Sequence, residues 1–410
     1  LKFYKLKILF FFFFISCMDI GKDYSWKDGS NNIFIRKFGN TGYDYGWSGA
    51  NSIYDDGIIV TGSIEKKINT DKDLWVIKTD KDGLLIWDKA FGGKQNDEGY
   101  DVVSTSDGGY IFAGYTWSFG KSQQIYIVKT DLYGNLLWEK NYGGSMWDVG
   151  TSIIELNNGG YAITGFSNSP GISSGNTDII LLIIDDNGNE LSLNAYGNKE
   201  FPNHEWGYDI IQLYDDSFII VGARDRYSNG MKNNIIYRIS IKGNILWEKE
   251  ILDENNINEI AYSVSANRYG SIYVCSGEND KNEIGTYKPK IIKIDAAGNI
   301  EWQRTFNSNS KEHHQFRAIA LNNNDLLLTG SSIIQMPNKI QSDAFLTRVD
   351  SNGNIIWSNA YGTADEDDWG WFVFEKNNNK IIMIGSTKSY EASLFDVLLI
   401  GVDSEGSYNQ

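Results

Sequence analysis

One aromatic position recurs along the chain at a nearly fixed spacing, and no other feature restricts the fold as much. Trp87, Trp138, Trp247, Trp302 and Trp357 share it with Phe34 and Ser192, at intervals of 51 to 55 residues. A period of that length marks blades or a solenoid, because such a unit buries its apolar face only against its neighbours. Within each period the pattern reads as four short strands. In the second unit, residues 100–106 alternate, and Asp107-Gly108-Gly109 supplies the positive φ angles of a tight hairpin. Residues 110–114 and 125–130 make the next two strands. Asp131-Leu132-Tyr133-Gly134 turns the chain again, and residues 135–142 carry Trp138.

Seven such units, with no long stretch of helical period, predict an all-β chain folded as a seven-bladed β-propeller of four-stranded antiparallel blades. A lone four-stranded sheet has two bare faces and two open edges. Packing blades around an axis covers the faces, and closing the ring limits the edges. The first repeat has only a fourth-type strand, residues 33–38, and the last has three strands and stops after Asp403-Ser404-Glu405-Gly406. The ring is therefore expected to close with an outer strand supplied from the N-terminus. The composition agrees: 14% aromatic residues and 42 Gly against 4 Pro suit many short strands joined by Gly and Asn turns.

The first residues read as an address. Lys2, Lys5 and Lys7 precede an apolar run, residues 8–15, that is too short to span a bilayer as a helix. The run ends in Phe14-Ile15-Ser16-Cys17, which resembles the lipobox of bacterial lipoproteins. The expectation is a signal peptide over residues 1–16, lipidation of Cys17, a polar tether over 17–31 and the propeller over 32–410. The protein would then be extracytoplasmic and lipid-anchored, with the membrane as its first partner. Removing three lysines and no acids would take the formal charge from -16 to -19. That charge argues against a nucleic-acid partner, which requires a basic face. Cys275 is left without a disulfide partner.

The repeats resemble those of quinoprotein alcohol dehydrogenases, with a turn one residue shorter, as in Asp131-x-x-Gly134-x-x-x-Trp138. They are closer still to exported bacterial propeller-repeat proteins with W-x-K-x-Y-G-G and D-G-G-Y segments. The resemblance implies a fold and no particular activity. Quinoprotein enzymes of that family carry adjacent cysteines at the cofactor and typically eight blades. This chain has no Cys pair and seven repeats, so no cofactor is expected.

In a four-stranded meander the short, similar turns fall at one end and the long, dissimilar loops at the other. The long loops join second to third strands, for example residues 115–124, 166–177 and 331–342. Variable loops on a rigid scaffold are where binding usually sits. The same end carries a recurring segment before each innermost strand. It runs from Asp44 to Trp47, Asp97 to Tyr100, Asp148 to Thr151, Glu205 to Tyr208, Glu259 to Tyr262, His313 to Phe316 and Asp368 to Trp371. Two readings follow. The acids can accept backbone N–H bonds in turns while the aromatics wedge between blades. Alternatively, they form an acidic, aromatic-rimmed cup at the channel mouth for a glycan, a cation or a basic peptide.

Catalytic signatures are sparse. His204, His313 and His314 fall on these loops and with Glu205 could in principle hold a divalent metal, but sparse surface His in so acidic a chain are more often incidental, and no metal is expected. The Asp-rich turns lack the distal Glu of a calcium loop. There is no phosphate loop before a helix and no nucleophile elbow. The sequence points to binding or scaffolding of a protein or glycan through the long-loop face. A glycan-active or degenerate quinoprotein enzyme in the same cup is the alternative.

Overall fold

The computed structural model of the protein describes residues 33–407 apart from 69, 175, 198–202, 226–231, 252–257, 280–285, 307–309, 312–315, 337–338 and 364–365. Residues 1–32, including Cys17, lie outside the described residues. Seven antiparallel sheets follow one another around a ring, six of them built from consecutive strands running from the axis outward. In the second blade these are Asp97–Ser104, Tyr110–Thr116, Gln124–Thr130 and Leu136–Tyr142. The seventh blade takes Asp368–Glu375, Ile381–Thr387 and Asp396–Val402 from the C-terminal end and Phe34–Phe38 from the N-terminal end. The closing strand pairs antiparallel to its neighbour, with Phe34 opposite Gly401 and Phe38 opposite Val397.

The core lies between blades. The strand Asp178–Ile184 is buried at every residue because each of its faces meets a different blade, which explains a continuous apolar run where one-sided burial would give alternation. Ala162, Ile179 and Leu181 of the third blade pack against Ile210, Phe218, Ile220 and Tyr237 of the fourth. At the closing seam, Phe34 and Phe38 join Ile382, Ile384 and Leu399 of the seventh blade to Ile58, Val60, Trp75 and Ile77 of the first. Each such buried side chain contributes on the order of 1.5–3 kcal/mol.

The recurring aromatic is a peg into the next blade. A Cβ on Gly134 would lie 2.7 Å from the Trp87 ring, and one on Gly188 2.9 Å from Trp138. Gly83, Gly298, Gly353 and Gly406 meet Phe34, Trp247, Trp302 and Trp357 in the same way. Each of these glycines has a positive φ, so the turn needs glycine for its backbone and the peg needs it for room. Several pegs also donate to the turn: Trp138 Nε1 to Asp186 O at 3.2 Å, and Trp357 Nε1 to Ser404 O at 3.1 Å. Ser192 supplies no ring at its place, where Asn194 comes nearest a Cβ on Gly243, at 2.8 Å; Tyr196 donates to Gly243 O at 3.0 Å, as Tyr142 and Tyr361 do to their turns beside Trp138 and Trp357.

The sixth blade departs from the expected pattern. Residues 331–342 were expected to loop, but the strands Leu326–Met336 and Lys339–Val349 pair as far as Met336 and Lys339, making a hairpin of 11 residues on each side. The innermost strand there is short, Arg317–Ala320.

Candidate functional site

The innermost strands share one irregularity. Their pairing slips between Gly46 and Ser48, Gly99 and Asp101, Gly150 and Ser152, Gly207 and Asp209, Ala261 and Ser263, and Gly370 and Phe372. The residue skipped is Trp47, Tyr100, Thr151, Tyr208, Tyr262 or Trp371. A bulge leaves one residue unpaired and re-aims its side chain. At Trp47, Tyr100, Tyr208 and Tyr262 the aromatic that closes the interblade segment is thus re-aimed by a β-bulge.

The acids of the same segments face the other way. Asp44, Asp97, Asp148, Glu205, Glu259 and Asp368 are buried. Asp44 accepts from Asn40 N at 2.7 Å and Glu65 N at 2.9 Å. Asp97 accepts from Gly93 N and Ser118 Oγ, both at 2.7 Å. Asp148 accepts from Gly144 N and Ser169 Oγ, both at 2.8 Å. Asp368 accepts from Thr387 Oγ1, and from Ser389 Oγ at 2.6 Å. These carboxyls pin interblade turns, and burial pushes those of Asp44 and Asp368 up to about 7. Glu205 is held by Arg224 Nε at 2.8 Å and Tyr237 OH at 2.9 Å, and Glu259 by Asn234 Nδ2 at 2.7 Å and Lys290 Nζ at 2.5 Å. Burial outweighs Arg224 and raises the Glu205 carboxyl.

Four of the six expected aromatics border one cavity of about 760 Å³ at the mouth of the channel: Trp47, Tyr100, Tyr208 and Tyr262. Thr151 lines it at the equivalent position of the third blade. Trp371 is buried behind Trp47, 5.1 Å between ring centroids, with its Nε1 donating to Ser386 Oγ at 3.2 Å. Phe316 is fully buried against Phe345 in the core between the fifth and sixth blades. His313 and His314 lie outside the described residues.

The cavity also draws on residues that the repeat pattern does not single out. Trp147 and Phe166 come from the third-blade side, and Trp206, His204 and Asp225 from the fourth. Arg317, the first residue of the sixth blade, completes the wall. Trp147 is 54% exposed. His204 and Trp206 stack at 5.8 Å, and Tyr208 and Tyr262 lie 5.5 Å apart. His204 Nδ1 is 3.1 Å from Thr177 Oγ1. The Lys232 ammonium sits 4.2 Å over the Trp206 ring, and burial lowers its pKa. Burial also pushes the Tyr208 hydroxyl up to about 12, so at neutral pH it is a protonated donor.

One residue past the bulge, a hydrogen-bonded belt joins the blades around the axis. Ser48 Oγ donates to Asp101 at 2.7 Å, and Ser152 Oγ lies 3.0 Å from Asp101 and 2.9 Å from Asp209. Val264 N donates to Asp209 at 2.9 Å, and Ala318 N to Ser263 Oγ at 3.0 Å. The run Ser48, Asp101, Ser152, Asp209, Ser263 at one offset was the available signal for this belt. Its carboxylates are structural. Among the described residues, no three His, Cys, Asp or Glu side chains converge as a metal site. Cys275 is buried, and burial pushes its thiol well above the usual range.

No protein-family model and no curated protein matches the sequence. Solved structures do match in shape. A PL25 ulvan lyase is 11% identical with a TM-score of 0.58, over 90% of this chain and 96% of that one, and the values are the same for the enzyme bound to -[GlcA(1-4)Rha3S]-. The polysaccharide lyase Uly1 is 8% identical with a TM-score of 0.50, over 88% and 90%. At these identities the likeness shows the propeller fold alone.

Proposed function

We propose that the protein is a lipid-anchored binding module of the bacterial cell envelope, which holds a saccharide at the mouth of its channel without converting it. The observation that carries this reading is the cavity wall. Trp47, Tyr100, Trp147, Trp206, Tyr208 and Tyr262 border one opening of about 760 Å³, room for a short saccharide. Aromatic faces pack against the C–H faces of sugar rings, while Tyr and Trp polar atoms and the nearby His204, Asn168 and Gln123 can bond hydroxyls. The names of the similar folds, polysaccharide lyases, also favour a glycan over a protein as ligand.

The path of the chain suits the anchor. Phe34–Phe38 enters the ring on the short-turn face, where Arg36 donates to Asp82 O at 3.2 Å. A lipid on Cys17 would join the ring to the membrane from that face, through the tether over residues 17–31.

The test is a glycan array with the protein, with and without chelator, followed by titration of the hits. Trp206→Ala and Trp147→Ala should each weaken the hit at least tenfold with little change in melting temperature. Chain shortening of a bound hit on incubation would favour the enzyme alternative. Binding untouched by both substitutions would refute the site. Mass spectrometry of the membrane fraction tests the anchor: Cys17 should be the N-terminal residue and carry the lipid.

A further inference from the structure

We infer that Asp225 sets the chemical class of the ligand, accepting hydrogen bonds from hydroxyls of an uncharged sugar; this rests on the channel mouth being a saccharide site. Asp225 ends the strand Phe218–Asp225 and lies in register with His204 on one side and Lys232 on the other. Three polar side chains thus stand in a row on the fourth-blade wall, beside the Trp206 ring. Asp225 is the one carboxylate among the described residues that line the cavity.

Its place on the cavity wall sets it apart from the acids that pin the turns, of which Asp148 also keeps one buried oxygen without a partner. Those carboxyls each accept from at least two donors, as at Asp44, Asp97 and Asp148. Asp225 is only 9% exposed, yet its Oδ1 has no hydrogen-bond partner among the described residues. Native folds rarely leave a buried charged acceptor unpaired, because desolvation is then uncompensated. The obvious cations are engaged elsewhere. Arg224 binds Glu205, Glu248 and Glu250, and the Lys232 ammonium, near enough to feel the Asp225 charge, sits over Trp206 and leaves Oδ1 without a hydrogen bond. A carboxylate accepts only, and it can take two adjacent hydroxyls at once. In a chain of net charge -16 it also disfavours an anionic group at the same wall. Trp206 and Tyr208 beside it supply the faces on which such a ring would lie. Arg317 lies in the same cavity, on the sixth blade, and makes the acidic-sugar alternative a definite outcome to test for.

The experiment uses the full chain and an array of neutral, uronate and sulfated oligosaccharides, with calorimetry on the hits. Neutral saccharides should bind. Asp225→Ala should weaken them by about ten- to a hundredfold, the usual loss for a hydrogen bond to a charged group, and the isosteric Asp225→Asn by less. Both variants should melt within a few degrees of the parent. Equal affinity of parent, Asp225→Ala and Asp225→Asn for a hit that Trp206→Ala loses would overturn this inference and leave the saccharide site standing. Hits confined to uronates or sulfated sugars and abolished by Arg317→Ala would overturn it too. No saccharide binding at all would overturn both.

Discussion

Replacing Phe34 with Ala should loosen the ring at its seam. Phe34 is buried between the first and seventh blades: its ring lies against Gly83 on one side and Gly401 on the other, where added Cβ atoms would fall 2.5 and 2.6 Å away. The Lys380 ammonium sits 4.4 Å over the same ring. Truncating a buried Phe costs about 3–5 kcal/mol, part lost transfer energy and part cavity. The glycines on both sides have no side chain to relax into the space, which favours the upper end. For a ring of roughly 370 residues, unfolding entropy of about 2.1 cal/mol/K per residue converts this to a fall in melting temperature of about 4–6 °C. Hydrogen exchange locates the effect. Amides of Phe34–Phe38 and of Asp396–Val402 should exchange faster, while those of Asp178–Ile184, across the ring, should not change. A variant melting within about 1 °C of the parent, or exchanging faster evenly around the ring, would refute the seam as a distinct weak point.

Three further outcomes follow from the same geometry. Gly134→Ala places a Cβ at positive φ and 2.7 Å from the Trp87 ring, whereas Gly270 has positive φ and nothing within 4 Å; thermal melts should show Gly134→Ala costing more than Gly270→Ala, whose penalty is strain alone, about 1–2 kcal/mol. Burial raises the Asp44 and Asp368 carboxyls from 3.8 to about 7, so the folded state holds protons that the unfolded state has released; their contribution is full below about pH 4 and is lost as pH rises through 7, by at most about 4 kcal/mol each. Urea melts of Asp44→Asn between pH 5 and 8 should show a smaller fall in stability with rising pH than the parent, and an unchanged slope would contradict this. The Cys275 thiol should resist a thiol reagent in native buffer and react fully in denaturant, since it is wholly buried with its thiolate disfavoured.

The architecture was legible because its causes are local and repeated. The spacing of Trp87, Trp138, Trp247, Trp302 and Trp357 records pegs that must each meet the glycine of the next turn, and the missing strand at one end named the strand at the other. The long hairpin of the sixth blade was not legible: residues 331–342 carry Pro337-Asn338 as a turn signal but lack the alternation that marks the other strands, and pairing with a neighbour decides their state. At the mouth, the acid-to-aromatic segment was visible, but which half faces the axis depends on the bulge after Gly46, Gly99 and their equivalents. A bulge is a property of register, and register appears only when two strands are laid together. Trp147 and Asp225 were missed because the repeat pattern does not mark them, and Trp206, inside its segment, because only Tyr45 and Trp369 match it. A site made by a few blades is written in the departures from the repeat, and Arg317, standing where other blades place Ser, Asp or Phe, is such a departure.

The most direct test of the account is a crystal structure of the protein with the tightest array hit. The saccharide should lie in the cavity bordered by Trp47, Tyr100, Trp206 and Tyr208, with a hydroxyl on Asp225. Density for the saccharide on the short-turn face or the outer rim, with this cavity holding only water, would contradict it.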